Sequence, residues 1–205
     1  MQERANPVPF RYDASPAAGT LRQGEILGEV WEHRPEHPPG PLPQDASIQF
    51  KSVYHPFVMV MNPDCDLEWD FKARFSDELS QRTYQQTGEI SQPNALISHV
   101  ILCDVYELSK IRNLVPPGKD IWKRIEQNQD ERYHHLKPAQ VEDMPVSQLP
   151  DLYLDFKKVF GIATETLYEG LRIGTIRRIA LVPPIYIHDL IHRFYGFLSR
   201  VALPE

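Results

Sequence analysis

Apolar residues along this chain fall mostly into short runs, a pattern that favours β-strands over long helices. The segment 23–31 has Ile26 and Val30 at apolar positions, and Phe57 to Met61 form an unbroken apolar run that ends at Asn62. An unbroken run of this length predicts a strand buried on both faces. Similar patterns predict further strands in the segments 47–53, 95–108, 132–136, 151–160 and 175–182.

Helical spacing is clearest near the C-terminus, where a helix is predicted to begin at Pro184, since proline suits a first helical turn. One stripe of this helix carries Ile187, Leu190, Ile191, Phe194, Leu198 and Val201. Shorter helices are predicted around Phe71, Phe75 and Leu79 and within the segments 120–125 and 164–171. This order of strands, inserted helices and a closing amphipathic helix predicts an α+β fold with a small, strongly bent β-sheet or β-barrel as its core.

The chain is predicted to form one domain. Residues 1–22 are rich in proline and alanine and are expected to be an N-terminal tail, so the α+β domain spans 23–205. Five prolines lie between Pro35 and Pro43. Because proline cannot donate to a β-ladder, residues 32–47 are predicted to be a Pro-rich loop.

Composition narrows the class of function. The chain has 205 residues, a formal net charge of −6 and two cysteines. The acidic balance disfavours a protein that coats nucleic acid, because phosphate affinity needs surplus lysine and arginine. The sequence shows neither a signal peptide nor an apolar run near the ~20 residues that span a bilayer. A cytoplasmic protein with reduced thiols and no membrane contact is therefore expected.

The segment Asp64-Cys65-Asp66, which follows the buried run, is the first candidate site. A nucleophilic cysteine needs a lowered pKa, whereas two flanking aspartates disfavour the thiolate. The favoured interpretation is a buried thiol at a strand end, with Asp64 or Asp66 bonded to turn amides or capping the next helix. A metal site is a less favoured alternative, with ligands drawn from Cys65, Cys103, His134, His135, His188 and His192.

Basic and aromatic residues also suggest contact with single-stranded RNA. The candidates for nucleic-acid binding are Trp122, Lys123, Arg124, Arg177 and Arg178. Carboxylates are interleaved with these residues, so any such contact would depend on a local groove.

Two segments together resemble the opening of PemK/MazF-like toxins. These are "QGEILGEVW" at 23–31 and, after a loop, "HPFVMVMNPDCDL" at 55–67. The toxins begin with a strand of the type G-D-I-V and continue, after a loop, with R-P-x-V-V-L-S. Uncharacterised bacterial proteins of this general kind carry a cysteine–aspartate pair after the second strand, as Cys65-Asp66 does here, and close with a helix ending like "FLSRVALPE".

The resemblance, over about residues 23–66 and more loosely the last helix, implies an SH3-like β-barrel. It also implies kinship with sequence-selective endoribonucleases and their inactive, partner-binding relatives. The catalytic set of the toxins is not matched, because His55 stands where they have an arginine and Asn62 where they have a serine. Their threonine on the next strand has no counterpart in "VILCDVYEL".

The resulting expectation is a non-catalytic protein-binding or regulatory module in a prokaryotic toxin–antitoxin, stress or phage-defence system. The alternative is an endoribonuclease in which His55 is the acid or base, Arg34 holds the phosphate, and Asp66 or Cys65 assists. A second alternative is a metal- or thiol-dependent enzyme that uses Cys65. A protein partner is expected, with RNA as the alternative partner and a homodimer left open. No cofactor is expected.

Overall fold

The computed structural model describes residues 19–36, 49–76, 93–137 and 149–200. The expectations for residues 1–18, for most of the Pro-rich loop, and for Leu79 and Val201 lie outside these ranges.

Six strands and five α-helices make up the described part of the chain. The strands are β1 (Glu25–Glu36), β2 (Gln49–Val60), β3 (His99–Glu107), β4 (Tyr133–Leu136), β5 (Leu152–Ala163) and β6 (Arg177–Leu181). The helices are α1 (Asp64–Phe71), α2 (Leu108–Ile111), α3 (Lys119–Glu126), α4 (Thr164–Ile173) and α5 (Pro184–Leu198). A π-helical turn, Lys72–Ser76, continues α1, and a 3₁₀ turn, Pro93–Ala95, precedes β3.

All six strands join one antiparallel sheet in the order β4-β5-β3-β2-β1-β6. The predicted α+β class is confirmed. A barrel is not, because β4 and β6 are the two edges of the sheet and do not pair with each other among the described residues. In the same part of the chain, no helix combines the length and the apolar character needed to cross a membrane.

Helices cover both faces of the central strands. On one face, Met59 and Leu154 pack in a core cluster with Leu190 of α5. On the other, Val58 packs with Leu67 of α1 and Leu167 of α4 in a second cluster. Burial on both faces is why this part of β2 reads as an unbroken apolar run. The interior strand predicted at 57–61 is confirmed for residues 57–60, and residues 58–61 are buried.

The hairpin of β1 and β2 changes its facing pattern partway along. Residues three apart in a regular strand face opposite sides, yet Leu27 and Val30 join the same core cluster. Glu29, between them, has left-handed backbone with φ at +65°. Pairing to β2 continues through this point, with Val30 opposite His55. Both strands therefore turn together, and residues 30–36 with 49–55 form an outer part that we call the hairpin arm.

Two expectations about loops need correction. Strand β1 continues to Glu36, five residues into the predicted Pro-rich loop 32–47. Pro35 is tolerated because it lies on an edge. Strand β6 pairs only with residues 25–28 of β1, so the side of β1 that faces away from β2 is unpaired at Pro35 among the described residues, and proline has no N–H to donate there. In the predicted tail, Leu21 is fully buried and Arg22 forms an ion pair with Asp64, so this end of the tail is part of the domain.

The last helix docks on the sheet through the stripe that the sequence predicts. Leu190 and Phe194 are buried, and Ile187 and Ile191 pack against the same cluster. Leu198 is the exception, since it is exposed at the end of the helix.

Replacing Phe194 by alanine should therefore loosen α5. Phe194 is 4% exposed and its neighbour Tyr195 is 50% exposed. We expect Phe194→Ala to lower the free energy of unfolding by about 3–5 kcal/mol, the usual cost of emptying a core aromatic site. The matched change Tyr195→Ala should stay within about 0.5 kcal/mol of the parent protein. Urea unfolding followed by circular dichroism measures both, and equal losses would contradict this packing of α5.

Candidate functional site

A cavity opens where β2 and β3 separate. These strands pair only over Phe57–Val60 and Leu102–Val105. Beyond that stretch, β2 pairs with β1 alone and β3 with β5 alone among the described residues. The gap holds a cavity of about 510 Å³. The charged and polar side chains lining it include Arg34, Tyr54, His55, Asp104, Lys110 and Lys158.

His55 is the buried centre of this site. Its Nδ1 is hydrogen-bonded to Asp104 Oδ1, and its Nε2 lies 3.1 Å from Glu32 Oε2. Its ring stacks on Phe160 with the two centroids 4.4 Å apart. With 4% of the side chain exposed, His55 meets protein groups on both nitrogens and on a ring face.

Hydrogen bonds extend from His55 in both directions. Glu32 accepts from Arg34, with Nε and Nη2 each 2.7 Å from a carboxylate oxygen. Asp104 accepts from the hydroxyl of Tyr106 at 2.8 Å. The resulting network Arg34–Glu32–His55–Asp104–Tyr106 joins β1, β2 and β3. In a buried network every lost partner leaves a costly unsatisfied group.

The environment of Tyr106 holds its phenol in the neutral form. Burial raises the pKa of Tyr106 far above its ordinary value, and the hydrogen bond to the Asp104 carboxylate raises it further. Tyr106 is therefore a hydrogen-bond donor and not a base in the physiological range.

The network favours a structural role for His55. Its two ring nitrogens each lie within hydrogen-bond distance of a carboxylate, Asp104 on one side and Glu32 on the other. A general acid or base must instead come within ~3 Å of a proton on the substrate. Both nitrogens of His55 already face carboxylates of the protein.

The predicted catalytic residues divide into two groups. His55 and Arg34 line the same cavity, as the endoribonuclease alternative requires. Cys65 and Asp66 lie instead in the first turn of α1, past the other end of β2. The distance along β2 from His55 to its last residue, Val60, is already ~16 Å, and Cys65 lies beyond that end.

The expected burial of Cys65 is wrong. The thiol is exposed, with Asp66 Oδ1 at 3.4 Å, because α1 begins at Asp64 and turns Cys65 outward. Asp64 does bond to a backbone amide, accepting from Gln23 at 2.7 Å, and it also accepts from Arg22. It does not cap α1.

The residues considered for a metal site lie apart. Cys103 is buried in β3, where burial raises the pKa of its thiol well above the usual value. His134 accepts a hydrogen bond from Arg193, and burial together with that cation lowers its pKa to about 3. His188 and His192 are exposed on α5. Within the described ranges, no three His, Cys, Asp or Glu residues are grouped to hold a metal ion.

The predicted nucleic-acid residues do not form one surface. Lys123 and Arg124 lie on α3, which contacts edge strand β4, and their neighbour Trp122 packs edge-on to Tyr153. Arg177 and Arg178 lie on β6, at the opposite edge. Five strand spacings separate these edges, ~24 Å.

The arginines of this set are also paired with carboxylates. Arg178 is buried against Glu25 at 2.7 Å, Arg177 pairs with Glu29, and Arg124 with Asp130.

Sequence reasoning missed Glu32, Asp104 and Tyr106 of the network and Lys110 and Lys158 of the cavity wall. Asp104 carried a usable signal, because a carboxylate inside the apolar run of β3 requires a buried partner. No sequence signal marked Lys158, because it lies in a β-bulge, where the alternation of inward and outward side chains is interrupted. Cys103 pairs with Val159 and Val105 with Leu154, so residues 155–158 of β5 all lie opposite Asp104.

A larger cavity, about 790 Å³, lies along α4 and is a weaker candidate. Two of its lining arginines are neutralised locally, Arg74 by Asp70 and Glu165 and Arg172 by Glu169. The cavity between β2 and β3 retains cations that have no carboxylate partner in the described part of the chain, namely Lys110 and Lys158.

Comparison with known proteins adds no family assignment. No model of a known protein family matches the chain, and no curated protein matches it.

Removing the Tyr106 hydroxyl should change how stability depends on pH. A phenol whose pKa is raised in the folded state contributes stability that is complete below the unfolded pKa of about 10 and declines as pH rises above it. Between pH 10 and 11 we expect Tyr106→Phe to make this decline shallower, by at most about 1.4 kcal/mol per pH unit. Urea unfolding at several pH values measures the slope. Tyr195→Phe, which removes an exposed hydroxyl, is the control, and identical slopes in both variants would contradict the assignment.

Proposed function

We propose that the protein is a non-catalytic binding and regulatory module that recruits a protein partner through the hairpin arm. The observation that carries the proposal is a group of exposed aromatic side chains on one face of the arm. Trp31, Phe50 and Tyr54 are 53%, 64% and 47% exposed. Trp31 and Tyr54 are cross-strand neighbours with ring centroids 5.0 Å apart, and Phe50 lies four residues from Tyr54 on the same face. Aromatic residues are enriched among those that dominate binding energy.

The open side of β2 indicates what kind of segment would bind. Among the described residues, β2 before Phe57 pairs only with β1, so its other side offers unpaired backbone groups. An extended segment of a partner can add a strand to such an edge. We propose a segment with apolar side chains at alternate positions, which would lie against Phe50 and Tyr54.

Three further points support a non-catalytic role and its setting. His55 has both nitrogens directed at carboxylates, and Cys65 lies in another part of the fold. The resemblance of residues 23–66 to PemK/MazF-like proteins favours a prokaryotic toxin–antitoxin, stress or phage-defence system. The proposal keeps the cytoplasmic location that the sequence predicts.

Removing the exposed aromatics should abolish recruitment. We expect the immobilised protein to capture a protein from cells of its source organism that, once purified, binds the parent chain directly. Trp31→Ala combined with Phe50→Ala should weaken this binding at least thirtyfold, roughly the effect of losing one 2 kcal/mol hot spot. The dissociation constant is measured by titration calorimetry.

The matched control removes two exposed apolar side chains elsewhere. Ile173→Ala on α4 combined with Ile185→Ala on α5 should leave the dissociation constant within about twofold. If the arm variant binds the partner as tightly as this control, the arm is not the docking surface.

An endoribonuclease remains the second candidate, because His55 and Arg34 line one cavity. In this alternative Arg34 would hold a phosphate and His55 would transfer the proton. Cys65 and Asp66 lie past the other end of β2 and are too far from His55 to assist. The chemistry would therefore depend on the residues that line the cavity.

We expect purified protein to leave RNA intact, since the site offers no nitrogen of His55 free of carboxylates. Gel analysis of labelled RNA with parent, His55→Ala and Arg34→Ala proteins tests this. A cleavage activity that falls about a hundred- to ten-thousandfold in both variants would establish the endoribonuclease instead. The Arg34 variant guards against misreading a folding defect, because its side chain is about half exposed.

A further inference from the structure

The cavity between β2 and β3 has two lysines on its wall that form no ion pair within the described part of the chain. They are Lys110 and Lys158. The carboxylates lining the cavity are Asp104 and Glu107. Asp104 is already engaged by His55 and Tyr106, and the single charge of Glu107 offsets only one of the two lysines. The chain as a whole has a formal charge of −6, so this cationic site is local. Local fields of this kind attract anions even to an acidic protein.

Both lysines are placed at the cavity by ordered backbone. Lys110 belongs to α2, which begins directly after β3 at Leu108. Lys158 belongs to the bulged stretch of β5 that lies opposite Asp104. A β-bulge commonly re-aims a side chain beside a functional site. The two cations thus come to one opening from separate elements, and neither is paired with a carboxylate of residues 19–36, 49–76, 93–137 or 149–200.

The remaining wall is suited to a flat ring. Tyr54, Phe57 and Tyr106 supply aromatic surface, with Val53 and Val105 between them. Aromatic side chains stack on nucleobases of every kind, worth about 1–3 kcal/mol per base. The volume of about 510 Å³ lies inside the range of roughly 300–1,000 Å³ that is usual for small-molecule sites.

We propose that this cavity binds a free nucleoside phosphate, with the phosphates at Lys110 and Lys158 and the base against Tyr54 and Phe57. The proposal goes beyond partner recruitment. Tyr54 belongs to both surfaces, but Trp31 and Phe50 do not line the cavity, so replacing those two residues tests partner binding alone. The bound nucleotide would lie at the base of the hairpin arm, where β2 leaves β3.

Calorimetric titration of the full chain tests the proposal. The probes are ATP, GTP, CTP and UTP, inorganic triphosphate, and a single-stranded RNA decamer without a terminal phosphate. We expect at least one nucleoside triphosphate to bind with a dissociation constant below 1 mM and at least tenfold more tightly than inorganic triphosphate.

Variants locate the binding. Lys110→Glu and Lys158→Glu should each weaken nucleotide binding at least tenfold, whereas Lys123→Glu, the same charge change on α3, should alter it less than twofold. Tyr54→Ala should weaken binding of the nucleotide but not of triphosphate. Thermal unfolding verifies that every variant is folded.

Four results would overturn the proposal. They are no nucleotide binding up to 5 mM, equal affinity for triphosphate, an equal effect of Lys123→Glu, and tight binding of the RNA decamer that nucleotides do not displace. The last result would assign the cavity to RNA. Partner binding by the Trp31→Ala/Phe50→Ala protein is measured separately, so the failure of one proposal is distinguishable from that of the other.

Discussion

The buried pairing of His55 with two carboxylates is the interaction on which the rest of the site depends. Asp104 comes from β3 and Glu32 from β1, so one imidazole on β2 joins three strands at the level where β2 and β3 separate. Ionisable groups are buried at a cost that only mutual pairing offsets. Without this pairing, the separating strands would leave unsatisfied charge at the bottom of an open cavity.

This arrangement gives the cavity a rigid floor and a chemically varied wall. The floor consists of groups already bonded to one another, whereas Lys110 and Lys158 on the wall have no carboxylate partner in the described ranges. A site of this composition is suited to hold an anion and poorly suited to transfer a proton. The hairpin arm begins at the same level, and of its exposed aromatics Tyr54 lines the cavity whereas Trp31 and Phe50 do not. The proposed ligand site and the proposed partner surface are therefore adjacent and share Tyr54.

Local pattern predicted much of the fold and little of the site. The run 57–61 and the stripe of α5 were readable because burial on a strand or a helix face follows from neighbouring residues. The partner of His55 was not, since Asp104 lies 49 positions away and pairing over that distance depends on strand order. The exposure of Cys65 was misjudged because a strand end does not say which way the next helical turn faces. The sequence also grouped the arginines of β6 with the basic residues of α3 as one nucleic-acid surface. Sequence spacing does not show which strands form the edges of a sheet, and these residues lie at opposite edges.

Edge strand β6 pairs with the very beginning of β1, with Glu25 opposite Leu181. This contact joins the first and last strands of the sheet, so a chain emerging from the ribosome cannot complete its sheet until β6 has been made. Until then the first strand exposes one unpaired side to the cell, a state prone to association with other nascent chains. The helix α5 follows β6 directly and packs in the same core cluster as Ile26 of β1, so late-made residues of the domain help to secure the first strand.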